Sequence, residues 1–354
     1  MTNKERMWAV LNGGIPDQIP FMPFAELIPR GETERKLREN GMGLVIHYSS
    51  VEEARPNVMS CRHTEGNRII TTYITPAGRI NVSHVAFGQG ISNDGLVQDE
   101  FMIKNEADYD IAIDYLNDTT FSKNADGFHK LDMELGQDGV IHTWTGEPPY
   151  MEAQYYLGLE KWSYHQFDYP DKFDALLKAL GDMQSRKLTL LTECPDNIIN
   201  LGNLAGNFGP IQFKKYMVPY FKRYNNLMHE AGKKTTLHAD APNTKNYVHL
   251  VKECGFDIIE AFTPPPVGNL TLKEAREAWG EKVTIWVNFP ETIFYEGYQR
   301  TKEYTIDMLM SDPCPNKLIG FTEMALMGVS DVNRKIFEDG IWAIMDAIET
   351  AGRY

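Results

Sequence analysis

Reactive side chains recur at the ends of short apolar runs in this sequence. The run Lys233-Lys234-Thr235-Thr236-Leu237-His238-Ala239-Asp240 closes on an imidazole and a carboxylate two residues apart. Alternate side chains of a strand face the same way, so His238 and Asp240 can address one object. An imidazole with one or two carboxylates is a donor set suited to zinc. Similar runs end in Asn203, Asn288 and Glu323. Each has a structural use when taken singly. A strand-end histidine can be a satisfied structural group, Asp240 can cap a helix after Pro242, and Glu323 can pair with a lysine or cap a helix. Recurrence at several strand ends is what points to an enzyme.

A second set is aromatic. Residues 142–168 include His142, Trp144, Tyr150, Tyr155, Tyr156, Trp162, Tyr164, His165 and Phe167. The stretch Trp144-Thr145-Gly146-Glu147-Pro148-Pro149-Tyr150 follows a strand and predicts a loop over the site. Rings there can enclose a flat apolar substrate, or can simply pack a helix.

Positioning these residues takes alternating strands and helices. Candidate strands are Ile19–Phe24, Gly43–Tyr48, Val140–Trp144, Ile198–Asn203, Lys234–Ala239, Phe256–Phe262, Val283–Asn288 and Leu318–Thr322. Amphipathic helices between them imply a parallel sheet with helical crossovers. Helices are expected from Pro170, from Pro210 to about Glu230 with Pro219 kinking or splitting it, and from Ser330 to Gly352. Eight strands are the number of a closed (β/α)8 barrel, whose active site lies at the C-terminal strand ends. Arg68–Thr75 and Arg79–Val85 read as an inserted hairpin, about residues 67–86, in the early half. Residues 100–135 are polar, with helical connectors. No linker divides the sequence, so residues 1–354 are expected to form a single α/β barrel domain.

The bulk numbers exclude some classes. The 354 residues carry a net charge of −14, which opposes nonspecific binding to nucleic acid or an anionic membrane. Cys61, Cys194, Cys254 and Cys314 form no closely spaced pair, so no disulfide framework or zinc ribbon is indicated. No stretch approaches the ~20 apolar residues of a membrane span, and the start lacks a signal-peptide core. A cytoplasmic location is expected. The dinucleotide and P-loop glycine motifs and the nucleophile elbow are missing.

The sequence resembles the uroporphyrinogen decarboxylase superfamily over most of its length, most clearly from Val140 onward. Three stretches carry the resemblance. One is Asp196-Asn197-Ile198-Ile199-Asn200-Leu201-Gly202-Asn203-Leu204-Ala205-Gly206 with the helix that follows. Another is Leu237-His238-Ala239-Asp240. The third is Phe321-Thr322-Glu323-Met324-Ala325-Leu326-Met327-Gly328-Val329-Ser330. The second and third are similar to segments of the superfamily's corrinoid-dependent methyltransferase branch. The decarboxylases' arginine-bearing N-terminal motif is replaced by Phe21-Met22-Pro23-Phe24-Ala25-Glu26-Leu27-Ile28-Pro29-Arg30. Lacking the paired arginines, that region is a poor grip for a polycarboxylate.

The resemblance implies zinc held by His238, Asp240 and Glu323, where thiol-methylating relatives use His, Cys and Cys. Oxygen ligands are harder and donate less than thiolates, so the ion is a stronger Lewis acid suited to an ether oxygen. The implied activity is the methyltransferase component of a corrinoid-dependent O-demethylase. It takes methyl from a methoxylated aromatic and gives it to the Co(I) corrinoid of a corrinoid-binding partner protein. His238, Glu323 and Asn203 are the expected catalytic residues. Trp144, Tyr150, Glu147, Phe24, Glu26 and Asn288 are the expected substrate contacts, with Glu193 a looser candidate. Three alternatives stay open: methyl transfer toward a thiol or folate, a metal-free lyase, and a non-catalytic module that binds the corrinoid protein or a small ligand.

Overall fold

Seven short runs of aliphatic and β-branched residues form parallel strands: β1 (Leu44–His47), β2 (Gly139–Trp144), β3 (Ile198–Asn203), β4 (Lys234–His238), β5 (Ile258–Phe262), β6 (Thr284–Asn288) and β7 (Lys317–Gly320). They pair in that order as one curled sheet. Nearly every strand residue is buried, as expected of parallel strands covered on both faces. The structure is a computed structural model that describes residues 1–28, 30–86, 96–204, 207–321 and 331–354.

The expected eighth strand, Ile19–Phe24, is a bridging segment instead. Met22 N and Phe24 N donate to the carbonyls of Ile319 and Phe321 at 2.7 and 3.0 Å. Its carbonyls at Phe21 and Pro23 accept from Gly43 N and Val45 N at 2.8 and 3.0 Å. The segment thus bonds to both edge strands, β7 and β1, through isolated bridges. Pro20 and Pro23 lack N–H donors, which is why no continuous ladder forms.

The backbone divides into two compact units. One comprises 1–50, 125–146 and 195–354 and holds the parallel sheet; the other comprises 51–124 and 147–194. In the first, the helix Asn3–Leu11 begins with a capping box between Thr2 and Glu5. It sets Met7, Val10 and Leu11 against Met22, Phe24, Val45, Val140, Ile198, Ile258, Trp286 and Leu318. These strand residues come mostly from the first halves of their strands, so the apolar plug lies at the N-terminal end. Each buried aliphatic side chain there contributes roughly 1.5–3 kcal/mol. The helix expected to be kinked or split at Pro219 is interrupted: a π-helical turn over Phe213–Met217 precedes the α-helix Val218–Glu230, with Pro219 in its first turn.

The second unit contains a four-stranded antiparallel sheet: Met59–Glu65, Arg68–Thr75, Gly78–Ala86 and Leu96–Glu100. A ribbon pairs Val51–Ala54 with Thr120–Lys123. Helices Asp108–Asn117, Pro149–Asp168 and Pro170–Leu191 complete it. Among the described residues no helix is long and apolar enough to cross a membrane.

Candidate functional site

The apolar plug fixes which strand face points inward. Side chains two residues further along each strand must share that face. Above Val45 stands His47, above Val140 stand His142 and Trp144, above Ile198 stands Asn200, above Ile258 stands Glu260, and above Trp286 stands Asn288. On β4 the register pairs Thr236 with Ile258 and His238 with Glu260. The layer over the plug is therefore polar, with His238 at its centre.

His238 Nδ1 lies 2.7 Å from Glu260 Oε2, and both side chains are buried, at 6% and 0% exposure. On the ring's other side, Nε2 faces Asp240 Oδ2 at 3.7 Å. Burial alone would lower the His238 pKa. The Glu260 carboxylate, followed by Asp240, overcomes that and pushes it up to about 10. The Trp144 ring packs on His238 with centroids 5.0 Å apart.

Backbone irregularities flank β4. The β3–β4 register shifts between Thr236 and His238, and the β5–β6 register shifts between Ile259 and Phe262. Gly202 adopts φ 132°, where a side chain would be strained. Its N–H turns back to Asn200 Oδ1 at 2.8 Å. Asn200 Nδ2 in turn donates to Thr236 Oγ1 at 3.2 Å, and His142 Nε2 meets the same hydroxyl at 2.9 Å. His142 is wholly buried, and burial, then neighbouring His47 and His238, holds its pKa well below the ordinary value.

The sequence-predicted residues fall into three groups. His238, Asp240, Trp144, Asn203, Phe24, Glu26 and Asn288 all belong to the unit of the parallel sheet. Asn203 is level with His238 in the register. Phe24 packs on His47 at 4.3 Å, and Glu26 Oε1 pairs with His47 Nδ1 at 2.8 Å. Asn288 Nδ2 donates to Thr263 Oγ1 at 3.0 Å. Glu147, Tyr150 and Glu193 belong to the other unit. There Tyr150 packs on Trp162 at 4.7 Å, the Glu147 N–H donates to Glu152 at 3.3 Å, and Glu193 pairs with Lys123 at the surface. Glu323 lies outside the described residues.

Glu260, His47, Asn200 and Thr236 are site residues that strand-end reasoning misses. Glu260 has a legible signal: one carboxylate in the apolar run Ile258-Ile259-Glu260-Ala261-Phe262. A charge there is costly unless it is paired.

The described residues offer zinc two donors. Two ligands ~2.0–2.2 Å from one tetrahedral ion stand about 3.4 Å apart, close to the 3.7 Å between His238 Nε2 and Asp240 Oδ2. Glu260 on Nδ1 is the outer carboxylate that commonly orients a metal-binding histidine. Among the described residues no group of three His, Cys, Asp or Glu side chains is disposed to hold a metal.

Comparison with known proteins leaves the family unassigned. No known family model matches the chain, and no curated protein matches it. Its fold is similar to that of a methyltransferase from Methanosarcina mazei. That structure has a TM-score of 0.57 at 13% identity and covers 99% of both chains. A B12-independent methionine synthase from Shewanella sp. W3-18-1 aligns with a TM-score of 0.47 at 8% identity, over 90% of this chain and 86% of that one. At such identities the likeness to the first is one of fold.

Proposed function

We propose that the protein is a methyltransferase that takes methyl from a methyl ether, most naturally an aryl methyl ether, and passes it to the Co(I) corrinoid of a partner protein. The observation that carries the proposal is His238: oriented by buried Glu260, facing Asp240, and roofed by Trp144 at the C-terminal end of a parallel strand. Pro20–Phe24 is taken as the closing eighth position of the barrel. His238, Asp240 and Glu323 would hold zinc, which when bound supplies a Lewis acid to the ether oxygen. Glu260 keeps the proton on His238 Nδ1 and fixes the ring plane, so Nε2 is the atom offered to a ligand. Trp144, Phe24 and the neighbouring rings give a flat substrate an apolar surface and keep water from the reacting oxygen. The corrinoid of the partner protein, as in the resemblance, is the methyl acceptor.

The test combines metal analysis with methyl transfer. Protein mixed with Co(I) cobalamin and a methoxylated aromatic should yield methylcobalamin and the corresponding phenol. His238→Ala and Glu323→Ala should each lose bound zinc and most of the activity. Full activity and metal content in both would refute the proposal. The raised pKa of His238 favours one second reading, a metal-free reaction with its imidazolium as the acid; activity indifferent to chelators would select it.

A further inference from the structure

The antiparallel sheet of the second unit has an open edge. Its strands run in the order Met59–Glu65, Arg68–Thr75, Gly78–Ala86, Leu96–Glu100, so among the described residues Met59–Glu65 has a neighbour on one side only. All seven of its residues are exposed. Its pairing runs without a register shift from Met59↔Ile74 to Glu65↔Arg68, and no proline interrupts it. Sheet edges are ordinarily blunted by prolines, bulges, short length or charges, because an open edge is a template for another strand. Of these devices the strand has only two charges of opposite sign, Arg62 and Glu65.

Hairpin geometry decides which backbone groups are open. Gly66 and Asn67 join the paired ends Glu65 and Arg68. In a two-residue hairpin those ends exchange both backbone bonds, and bonded and non-bonded pairs alternate from there. Glu65, His63, Cys61 and Met59 therefore bond inward. The turn between Thr75 and Gly78 gives the complementary count: Thr75, Tyr73, Thr71 and Ile69 bond to Gly78–Ala86, leaving Ile74, Thr72, Ile70 and Arg68 for Met59–Glu65. The N–H and C=O groups of Ser60, Arg62 and Thr64 point outward, and among the described residues they have no backbone partner.

We infer that this edge pairs antiparallel with the same edge of a second copy about a two-fold axis at Arg62, joining two four-stranded sheets into one. The pairing is independent of the methyl transfer proposed at His238. With the axis at Arg62 all three outward residues are used: Ser60 meets the partner's Thr64, Arg62 the partner's Arg62, and Thr64 the partner's Ser60. Each pair exchanges two backbone hydrogen bonds, and facing hydroxyls add to the cross-strand contact. An axis at Cys61 or His63 uses only two of the three pairs. The like-charged arginine pair weakens the Arg62 register by less than the two backbone bonds that the others give up. On one face the order hydroxyl, arginine, hydroxyl reads the same in both directions, as a two-fold interface requires. Charge fits a second copy as well: the chain carries −14, yet Arg62 and Glu65 cancel within this strand, so the edge adds nothing to the repulsion between copies.

Sedimentation equilibrium of the full chain under reducing conditions tests this. The wild type should shift from its 40.4 kDa monomer to twice that mass, with the roughly micromolar Kd of a small interface. Arg62→Pro removes an outward N–H and sets a ring in the partner strand's path, while the hairpin keeps its own bonds. It should stay monomeric up to about 0.1 mM, roughly a hundredfold above such a Kd, with an unchanged near-UV circular dichroism spectrum. Arg62→Thr removes the like-charged pair and should tighten the dimer about 1.5- to 5-fold. His63→Cys checks the register. Its new thiol faces the partner's Cys61 in a closely spaced pair with Cα atoms about 4.5 Å apart, within disulfide reach. Diamide, which takes up the two thiol hydrogens, should link these copies at least about tenfold faster than the wild type or Cys61→Ser/His63→Cys, whose like thiols stand diagonally. A wild type that is monomeric at that concentration, a dimer that persists in folded Arg62→Pro, or equal cross-linking in all three cysteine sets overturns the inference. Should Arg62→Pro misfold, the cross-linking contrast decides alone.

Discussion

Replacing Glu260 by glutamine in metal-free protein isolates the interaction that orients His238. The substitution preserves volume and one acceptor oxygen while removing a charge 2.7 Å from His238 Nδ1. Burial opposes protonation of His238, and the Glu260 and Asp240 carboxylates reverse it, moving the pKa from 6.5 to about 10. At about 1.36 kcal/mol per pH unit, the net rise left after burial's opposing effect corresponds to roughly 5 kcal/mol of pH-linked stability. Glu260 is the nearer, and a hydrogen bond to a charged group contributes ~1.5–3 kcal/mol, so a loss of about 2–3 kcal/mol is expected. The folded pKa lies above the unfolded one. The stabilisation is therefore complete below about pH 6.5 and fades as pH rises through about 10. Across that window the folded chain holds the extra proton, so its stability falls with rising pH. Urea denaturation after EDTA treatment, at several values between about pH 6 and pH 10, should show the wild-type advantage greatest at the acid end and near zero at the other. A constant offset across the range, or none at about pH 6, would refute the pairing of His238 with Glu260 as the source of its charge.

Two further predictions concern the framework. Lys317 begins β7 at 1% side-chain exposure, donates to the Cys314 carbonyl at 2.6 Å, and is pushed by burial from 10.5 down to about 8. Here the unfolded chain binds the extra proton, so the wild-type advantage over Lys317→Met should grow between about pH 8 and pH 10.5, by at most roughly 3 kcal/mol; a pH-independent difference in paired denaturation curves would contradict this. Gly320 sits in the polar layer on β7, and a Cβ there would stand 2.5 Å from Trp286 Nε1 and 2.6 Å from the Met22 carbonyl oxygen. Gly320→Ala should cost about 2–3 kcal/mol, seen in calorimetry as a fall in Tm of about 3–4 °C; an unchanged Tm would mean that the bridging segment yields freely.

The parallel strands were legible because each is a short apolar run broken by turn residues, and seven of eight candidates correspond to strands. The eighth, Ile19–Phe24, has the composition of a strand. Its two prolines cannot donate, and that shows only when the ladder is counted bond by bond. The hairpin at Arg68–Thr75 was legible from its turn, whereas its neighbour Met59–Glu65 is exposed throughout. Such a strand has no apolar alternation to read. In the site, His238 and Asp240 announced themselves by polarity at a strand end. Glu260 and Asn200 did not, because their meaning depends on strands paired across the sheet.

The backbone beside Glu260 gives an independent reason to place function there. Ala261 has φ 57°, and among the described residues it is the non-glycine residue with positive φ. Such a conformation costs an L-residue about 1–2 kcal/mol and persists where surrounding bonds hold it. Those bonds are visible. Ala239 N donates to the Glu260 carbonyl at 2.7 Å, and Thr263 Oγ1 donates to the Ala261 carbonyl at 3.0 Å. A regular continuation of β5 would relieve the strain, and glycine at 261 would remove its steric cause. The chain instead keeps alanine in a bulge directly after the carboxylate that meets His238. Strain held next to a buried ion pair, on a strand whose neighbour ends in His238 and Asp240, is what a site built to fix one imidazole would require.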